Sequence, residues 1–239
     1  MAAPQFDALL EVQRLDTSID QHRHLLARLP EAVALAEIDT RVSAVLARRD
    51  GAVPARDEVG QRQAHLEGEL AATEERSKTV SARMYSGEVS AARDLQAMVA
   101  DVEALKVRAS DLEDRILEVL DEREPFDALI AAAEEELVAL GESRIAAVAA
   151  LNRAQSGVGE ELEELVAQRA DAAEAVPPEL LADYERIRSR SGGIGAARLV
   201  GTRCGGCHLT LPSMELDRIR HAPAEAVMHC DECGRILVQ

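Results

Sequence analysis

From Leu95 onward, apolar residues recur in alternating steps of three and four, and this spacing limits the fold more than anything else in the chain. Leu95, Met98, Val102, Leu105, Ala109, Leu112, Ile116 and Val119 lead without a break into Arg123, Phe126, Ile130, Ala133, Leu137 and Leu140. After a lapse at Arg144 the series resumes at Ala147, Leu151, Ala154 and Val158 and, past Glu161, reaches Leu165. A heptad seam sustained this long predicts a coiled coil with left-handed supercoiling. The preceding residues carry the same pattern in two registers. Val12, Leu15, Ile19, His22, Leu26, Leu29 and Val33 form one. Leu35, Ile38, Val42, Val45, Arg49, Ala52, Arg56, Val59, Gln63, Leu66 and Leu70 form the other, and the register slips just after Pro30.

Aromatic residues are only 2% of the chain, namely Phe6, Tyr85, Phe126 and Tyr184. So few large side chains cannot fill a wide globular core, but they suffice for a narrow seam between helices. Between the helical stretches lies Met84 to Leu95, where Gly87 can turn the chain and Ser90 can cap the next helix. The expected fold is therefore mainly α. It is a long, kinked, antiparallel coiled-coil hairpin over residues 1–176 with its tip near 84–94. Two helices that pair with another chain are the alternative, and the short turn favours the hairpin. A tip centred near residues 89–90 places Pro54 opposite Pro125, so that both arms kink at one level.

Residues 177–239 read as a second region. Pro177-Pro178 opens a short helix with Leu180, Leu181, Tyr184 and Ile187 on its apolar face, and Ser191 to Gly195 ends it. Beyond stand Cys204-Gly-Gly-Cys207 and Cys230-Asp-Glu-Cys233. Two C-x-x-C pairs at short separation are the ligand pattern of a structural zinc site, with four thiolates and no open coordination position. Leu199-Val200, Leu209 to Leu211, Ala226 to Met228 and Ile236 to Val238 read as short strands, with a helix over Met214 to Arg220. The module is a small β-rich (α+β) zinc ribbon, in which Gly205, Gly206 and Gly234 let backbone amides approach the sulfurs. Cys204-x-x-Cys207-His208 formally matches a c-type haem attachment, but Cys230 and Cys233 would then be left over. A thioredoxin-like pair lacks its βαβ setting, and iron remains chemically open at a four-thiolate site. His208 and His229 adjoin ligand cysteines and are read as surface or supporting residues.

Net charge is −17. From Pro177 to Gln239 acids and bases number eight each, so the whole excess lies on residues 1–176, which will repel nucleic acid phosphates. The start of the chain, Met-Ala-Ala-Pro-Gln-Phe-Asp, lacks the features of a secretory signal, and no apolar run is long enough to span a bilayer. A reducing, cytoplasmic setting is expected, where paired C-x-x-C motifs favour metal over disulfide.

Met84-Tyr85-Ser-Gly87-Glu-Val, Asp94-Leu95-Gln96, Glu103 and Leu105-Lys106 resemble the hairpin-tip signature of the bacterial four-cysteine zinc-ribbon family, whose members carry an N-terminal coiled-coil hairpin. Pro178 to Arg188, Cys204 to Pro212 and Cys230 to Leu237 are similar to that family's C-terminal ribbon. Ala91-Ala-Arg stands where such tips commonly carry Asn-Pro. The resemblance implies a kinked hairpin bearing a zinc ribbon, without catalysis. Members are described as candidate nucleic acid-binding proteins, and some relatives act as adaptors or chaperones for secretion and flagellar components, a sigma factor or a messenger RNA.

The functional expectation is a non-enzymatic adaptor for protein, for nucleic acid, or for both, with the ribbon as recognition module and the coiled coil as scaffold. RNA or DNA would meet Arg186, Arg188, Arg190, Arg198, Arg203, Arg218, Arg220 and Arg235, since arginine suits phosphate. The opposing considerations are eight nearby acids and the lack of an aromatic platform in the ribbon. The alternative is a purely protein-directed chaperone or scaffold that uses the acidic hairpin. No catalytic constellation or nucleotide-binding glycine loop appears, so no small-molecule substrate is expected. Gly192-Gly-Ile-Gly195 is too short and follows a helix.

Overall fold

The computed structural model describes residues 3–239. Met1 and Ala2, part of the start read above as lacking a secretory signal, lie outside the described residues. The elements are α1 (Pro4–Leu26), α2 (Pro30–Tyr85), α3 (Ala92–Glu174), α4 (Pro178–Arg190), β1 (Ala196–Val200), β2 (Arg203–Cys204), α5 (Ser213–His221), β3 (Met228–His229) and β4 (Ile236–Val238). The chain falls into two compact units, residues 35–146 and residues 1–34 together with 147–239. The boundary at 176/177, read from Pro177-Pro178, falls within the second of these. None of the helices among the described residues is long and apolar enough to cross a membrane.

In the unit 35–146, α2 and α3 run antiparallel as a bent helical hairpin. The seam is the one the heptads predict. Val45, Ala52, Val59, Leu66 and Thr73 of α2 are buried at every seventh position. Val102, Leu112, Val119, Ala133 and Leu140 are the buried residues of α3. The heptad alone would have placed Thr73 in the seam. Its hydroxyl avoids an unpaired burial by donating to the Glu69 carbonyl at 2.8 Å. Polar seam members find partners across the arms. Arg123 donates to Gln63 at 3.0 Å, and the lapse at Arg144 is filled by an ion pair with Asp39 at 2.7 Å. Such pairs penalise a shifted alignment, because sliding one helix would leave them unpartnered.

Two tip expectations need correction. Gly87 does turn the chain, at φ 78°. Ser90, however, does not cap α3. The first amides, of Asp94 and Leu95, donate to the Ala91 carbonyl, one residue later. The prolines also miss each other. Arg48–Glu136, Arg56–Asp127 and Arg62–Glu122 set the alignment of the arms. It puts Pro54 beside Ile130 and Glu134, about one helical turn from Pro125.

In the other unit, a four-stranded sheet of order β2-β1-β4-β3 is covered on both faces. β1 and β4 are parallel, and the other pairs are antiparallel. Successive strand residues face opposite ways. Ala196, Ile236 and Val238 pack on Phe6, Leu9 and Val12 of α1 and on Leu180, Tyr184 and Ile187 of α4. Ala197 and Leu237 face the cysteines and Leu216 and Ile219 of α5. The apolar face read for α4 is therefore present. The segment Leu209 to Leu211 forms only a bridge, Arg203 to Thr210, instead of a strand. Val33 is also not a seam residue. Its exposure is 58%, because α1 ends at Leu26 and the seam passes to Leu29.

Candidate metal centre

Each cysteine pair sits on a tight turn between strands, and the two turns are built alike. In the first, the Cys204 amide donates to the Leu209 carbonyl and the His208 amide returns to the Cys204 carbonyl at 2.9 Å. In the second, the Cys230 amide donates to the Arg235 carbonyl and the Gly234 amide returns to the Cys230 carbonyl at 2.8 Å. Both turns need a left-handed residue directly after the second cysteine. Gly234 supplies it at φ 71°, and His208 at φ 61°.

The four sulfurs lie within 4.8 Å of one another. Cys204 and Cys233 Sγ are 3.9 Å apart, and Cys207 and Cys230 Sγ 4.0 Å. Zinc–sulfur bonds of about 2.3 Å give a tetrahedron with edges of about 3.8 Å, so the cage fits that ion. All four cysteines are free of disulfides. The Gly206 amide donates to Cys204 Sγ at 3.3 Å, as the paired glycines suggest. Without metal, burial pushes the Cys230 thiol up to about 12 and raises the Cys204 thiol as well. Burial works the same way on Cys233, but the Arg235 amide and guanidinium, together with the Cys230 and Cys207 thiols, outweigh it and bring that thiol down to about 7. Metal binding must therefore displace protons at neutral pH, and the charge it supplies stabilises the buried thiolates.

The adjoining histidines do not compete for this cage. His229 Nε2 is 2.8 Å from Asp183 of α4. Burial would raise the Asp183 carboxyl, yet the contacts with His229 and Arg186 hold it below its ordinary value. The exposed His208 contributes its backbone carbonyl, which accepts from the Arg203 guanidinium at 2.9 Å. Replacing His208 by glycine is expected to raise zinc-loaded stability by about 1 kcal/mol, because glycine adopts the left-handed conformation without Cβ strain. Thermal denaturation of His208→Gly would show it, and a lower midpoint would refute it.

Three supporting residues escaped the reading of the motifs. Glu215 of α5 is buried and accepts the Asp231 amide at 2.9 Å, steadying the second turn from below. Gln13 of α1 accepts the Gly195 amide at 2.7 Å and donates to the Gly193 carbonyl at 3.1 Å. Asp16 of α1 accepts from Tyr184 at 2.8 Å and from Arg169 at 3.2 Å. Gln13 and Asp16 interrupt an otherwise apolar stripe, which was the available signal. The turn they hold has no room for a side chain at Gly195, whose Cβ would lie 2.7 Å from the Tyr184 ring.

Most of the eight arginines are engaged within the chain. Arg186 pairs with Asp183, Arg188 with Asp20, Arg198 with Asp7 and Arg218 with Asp231. Arg235 donates to the Ser191 and Ile194 carbonyls, and Arg203 to that of His208. Arg190 and Arg220 make no ion pair among the described residues and are exposed.

A helical hairpin joined to a four-thiolate ribbon defines a class. The CT398-like coiled coil hairpin domain matches residues 12–192, and the C4-type zinc ribbon domain matches residues 203–237. The chain belongs to the CT398-like coiled-coil hairpin family, with one structural zinc in its ribbon. Uncharacterized proteins from two Mycobacterium tuberculosis strains are each 31% identical over 232 residues, covering 97% of this chain and 94% of theirs. A solved structure from Mycobacterium smegmatis has a TM-score of 0.86 at 25% identity and covers 100% of both chains. CT398 from Chlamydia trachomatis has a TM-score of 0.66 at 18% identity, covering 98% of this chain and 96% of its own, and so shares the fold. Both matched domains are structural types, and neither indicates catalysis.

Proposed function

We propose that this chain is a non-enzymatic, cytoplasmic, protein-directed adaptor that docks its partner on the acidic hairpin. In this reading the zinc ribbon and the helices packed on it form the structural head. The observation that carries it is the internal commitment of the arginines. Arg186, Arg188, Arg198 and Arg218 already face carboxylates, and Arg203 and Arg235 face backbone carbonyls, so the positive charge that phosphate would need is largely neutralised. The net charge of −17 acts in the same direction. A second reading, RNA or DNA binding by the ribbon, is favoured by Arg190 and Arg220, which lack ion-pair partners among the described residues.

Two measurements on the full zinc-loaded chain separate these readings. Electrophoretic shifts with single-stranded RNA and duplex DNA over a salt series are expected to be negative. Capture from a native lysate is expected to retain a protein partner that survives nuclease treatment. RNA recovered in place of protein, and lost on Arg190→Ala with Arg220→Ala, would overturn the protein-directed reading in favour of the second.

A further inference from the structure

The flanks of the hairpin in residues 35–146 are not alike. One flank is closed by ion pairs between the arms, Arg48 with Glu136 at 2.6 Å, Arg62 with Glu122, and Arg108 with Glu69 at 3.6 Å. On the other flank small residues take the bordering positions. Gly60 and Ala64 of α2 line one hollow there, and Val53 and Pro54 line the next with Glu134 of α3. A Cβ at Gly60 would meet no atom within 4 Å, so the chain's own packing does not account for a glycine in a helix interior.

On α3 this flank carries a second stripe at three-four spacing, distinct from the seam. Its large apolar members are Leu117, Leu120, Val138 and Ile145, exposed by 59, 39, 67 and 74%. From Glu113 to Ile145 its charged members, Glu113, Glu124, Asp127 and Glu134, are all acids; Lys106, two positions earlier in the series, pairs with Glu103. Around Glu124 and Glu134 the bases are taken: Arg56 faces Asp57 and Asp127, and Arg123 faces Gln63 and Asp127, while Lys78 and Lys106 lie nearer the tip beside Glu113. Glu113, Glu124 and Glu134 make no ion pair among the described residues. Apolar residues repeated along a helix face seek another helix, and unpaired carboxylates beside them select the charge of its borders.

We propose that this open flank, centred on Gly60, Leu117, Leu120 and Val138 and edged by Glu124 and Glu134, docks a basic amphipathic helix of a partner protein as a third strand of the coiled coil. The inference rests on the protein-directed reading and names the partner's chemistry: leucine-like residues at a and d, with lysine or arginine beside them. A second copy of this chain does not match, because the same flank would bring acid against acid and each copy carries −17.

The test uses the full zinc-loaded chain and a labelled synthetic helix of about three heptads, with leucine at a and d and lysine elsewhere, read by fluorescence anisotropy. Its counterpart carries glutamate in place of lysine. The lysine peptide is expected to bind and the glutamate peptide not to. Leu117→Ser combined with Leu120→Ser and Val138→Ser is expected to weaken binding at least about tenfold without altering net charge. Glu122→Gln with Glu136→Gln, on the closed flank, is expected to leave it within about twofold. The proposal is overturned if the lysine peptide does not bind, if the glutamate peptide binds equally, or if the triple serine variant binds as the parent does. It is also overturned if sedimentation shows a dimer that this variant splits, since the occupant would then be a second copy. A lysate partner still captured by the triple serine variant would leave the adaptor reading standing and remove only this surface.

Discussion

Stripping the zinc is expected to unfold the ribbon while the helices of the unit 35–146 stay intact. The reason is the size of the core on the metal side of the sheet. Apart from the cysteines it holds Ala197, Leu211, Leu216, Ile219 and Leu237 as its buried residues. At about 1.5–3 kcal/mol for each large side chain, that burial cannot offset the ordering of both turns, α5 and β3. Structural zinc contributes about 10–16 kcal/mol in comparable small modules. With chelator, or with Cys230→Ser, amide hydrogen exchange in residues 203–235 should accelerate by about a thousandfold or more, while the buried seam around Leu112 and Val119 keeps its protection. Acid should act in the same direction. Cys204 and Cys230 hold their protons strongly when metal is absent, so lowering pH favours the protonated, metal-free site. The zinc contribution is therefore present at neutral pH and lost as pH falls. Unchanged exchange in the chelated protein would show that the metal has no structural role.

What the sequence could disclose followed the range of the interactions. The seam was legible because a helix repeats its environment every seven residues, so Val45 through Leu66 and Val102 through Leu140 could be read without knowing their partners. The cage was legible because four like ligands at this spacing have few other uses. The offset between the arms was not, since the tip residues alone do not set it. Pairs such as Arg48–Glu136 and Arg144–Asp39 do, and each links residues far apart in the chain. The seating of the ribbon on α1 was hidden for a related reason. Phe6 and Leu9 continue the periodicity backward from Val12, but their partners Ile236 and Val238 lie at the other end of the chain. Gln13 and Asp16 resemble surface residues until the Gly195 amide and the Tyr184 hydroxyl are placed against them.

Replacing Asp16 by alanine is the substitution expected to cost most outside the cysteines. Asp16 is 4% exposed and stands where α1, α3 and α4 meet. Tyr184 donates to it at 2.8 Å, Arg169 at 3.2 Å, and the Arg188 guanidinium lies 3.5 Å away. Alanine would orphan the fully buried tyrosine hydroxyl and leave two half-buried cations short of one carboxylate. Removing one partner of a fully buried pair costs about 3–5 kcal/mol. Arg169 keeps Glu185 and Arg188 keeps Asp20, and both arginines reach solvent, so about 2–4 kcal/mol is expected. Tyr184→Phe removes a single hydrogen bond and should cost about 1 kcal/mol. Together with Asp16→Ala it should cost less than the sum of the two, because both changes break the same contact. The pair also has an alkaline signature. Burial, and then the hydrogen bond to Asp16, raise the Tyr184 hydroxyl above its ordinary value. The unfolded tyrosine ionises near about pH 10 while the folded one keeps its proton, so stability falls as pH rises through that range. Tyr184→Phe should flatten that slope. Urea denaturation of the zinc-loaded protein at neutral and alkaline pH measures all of these effects, and an Asp16→Ala midpoint equal to the parent's would show that the network is not part of what holds α1 to α4.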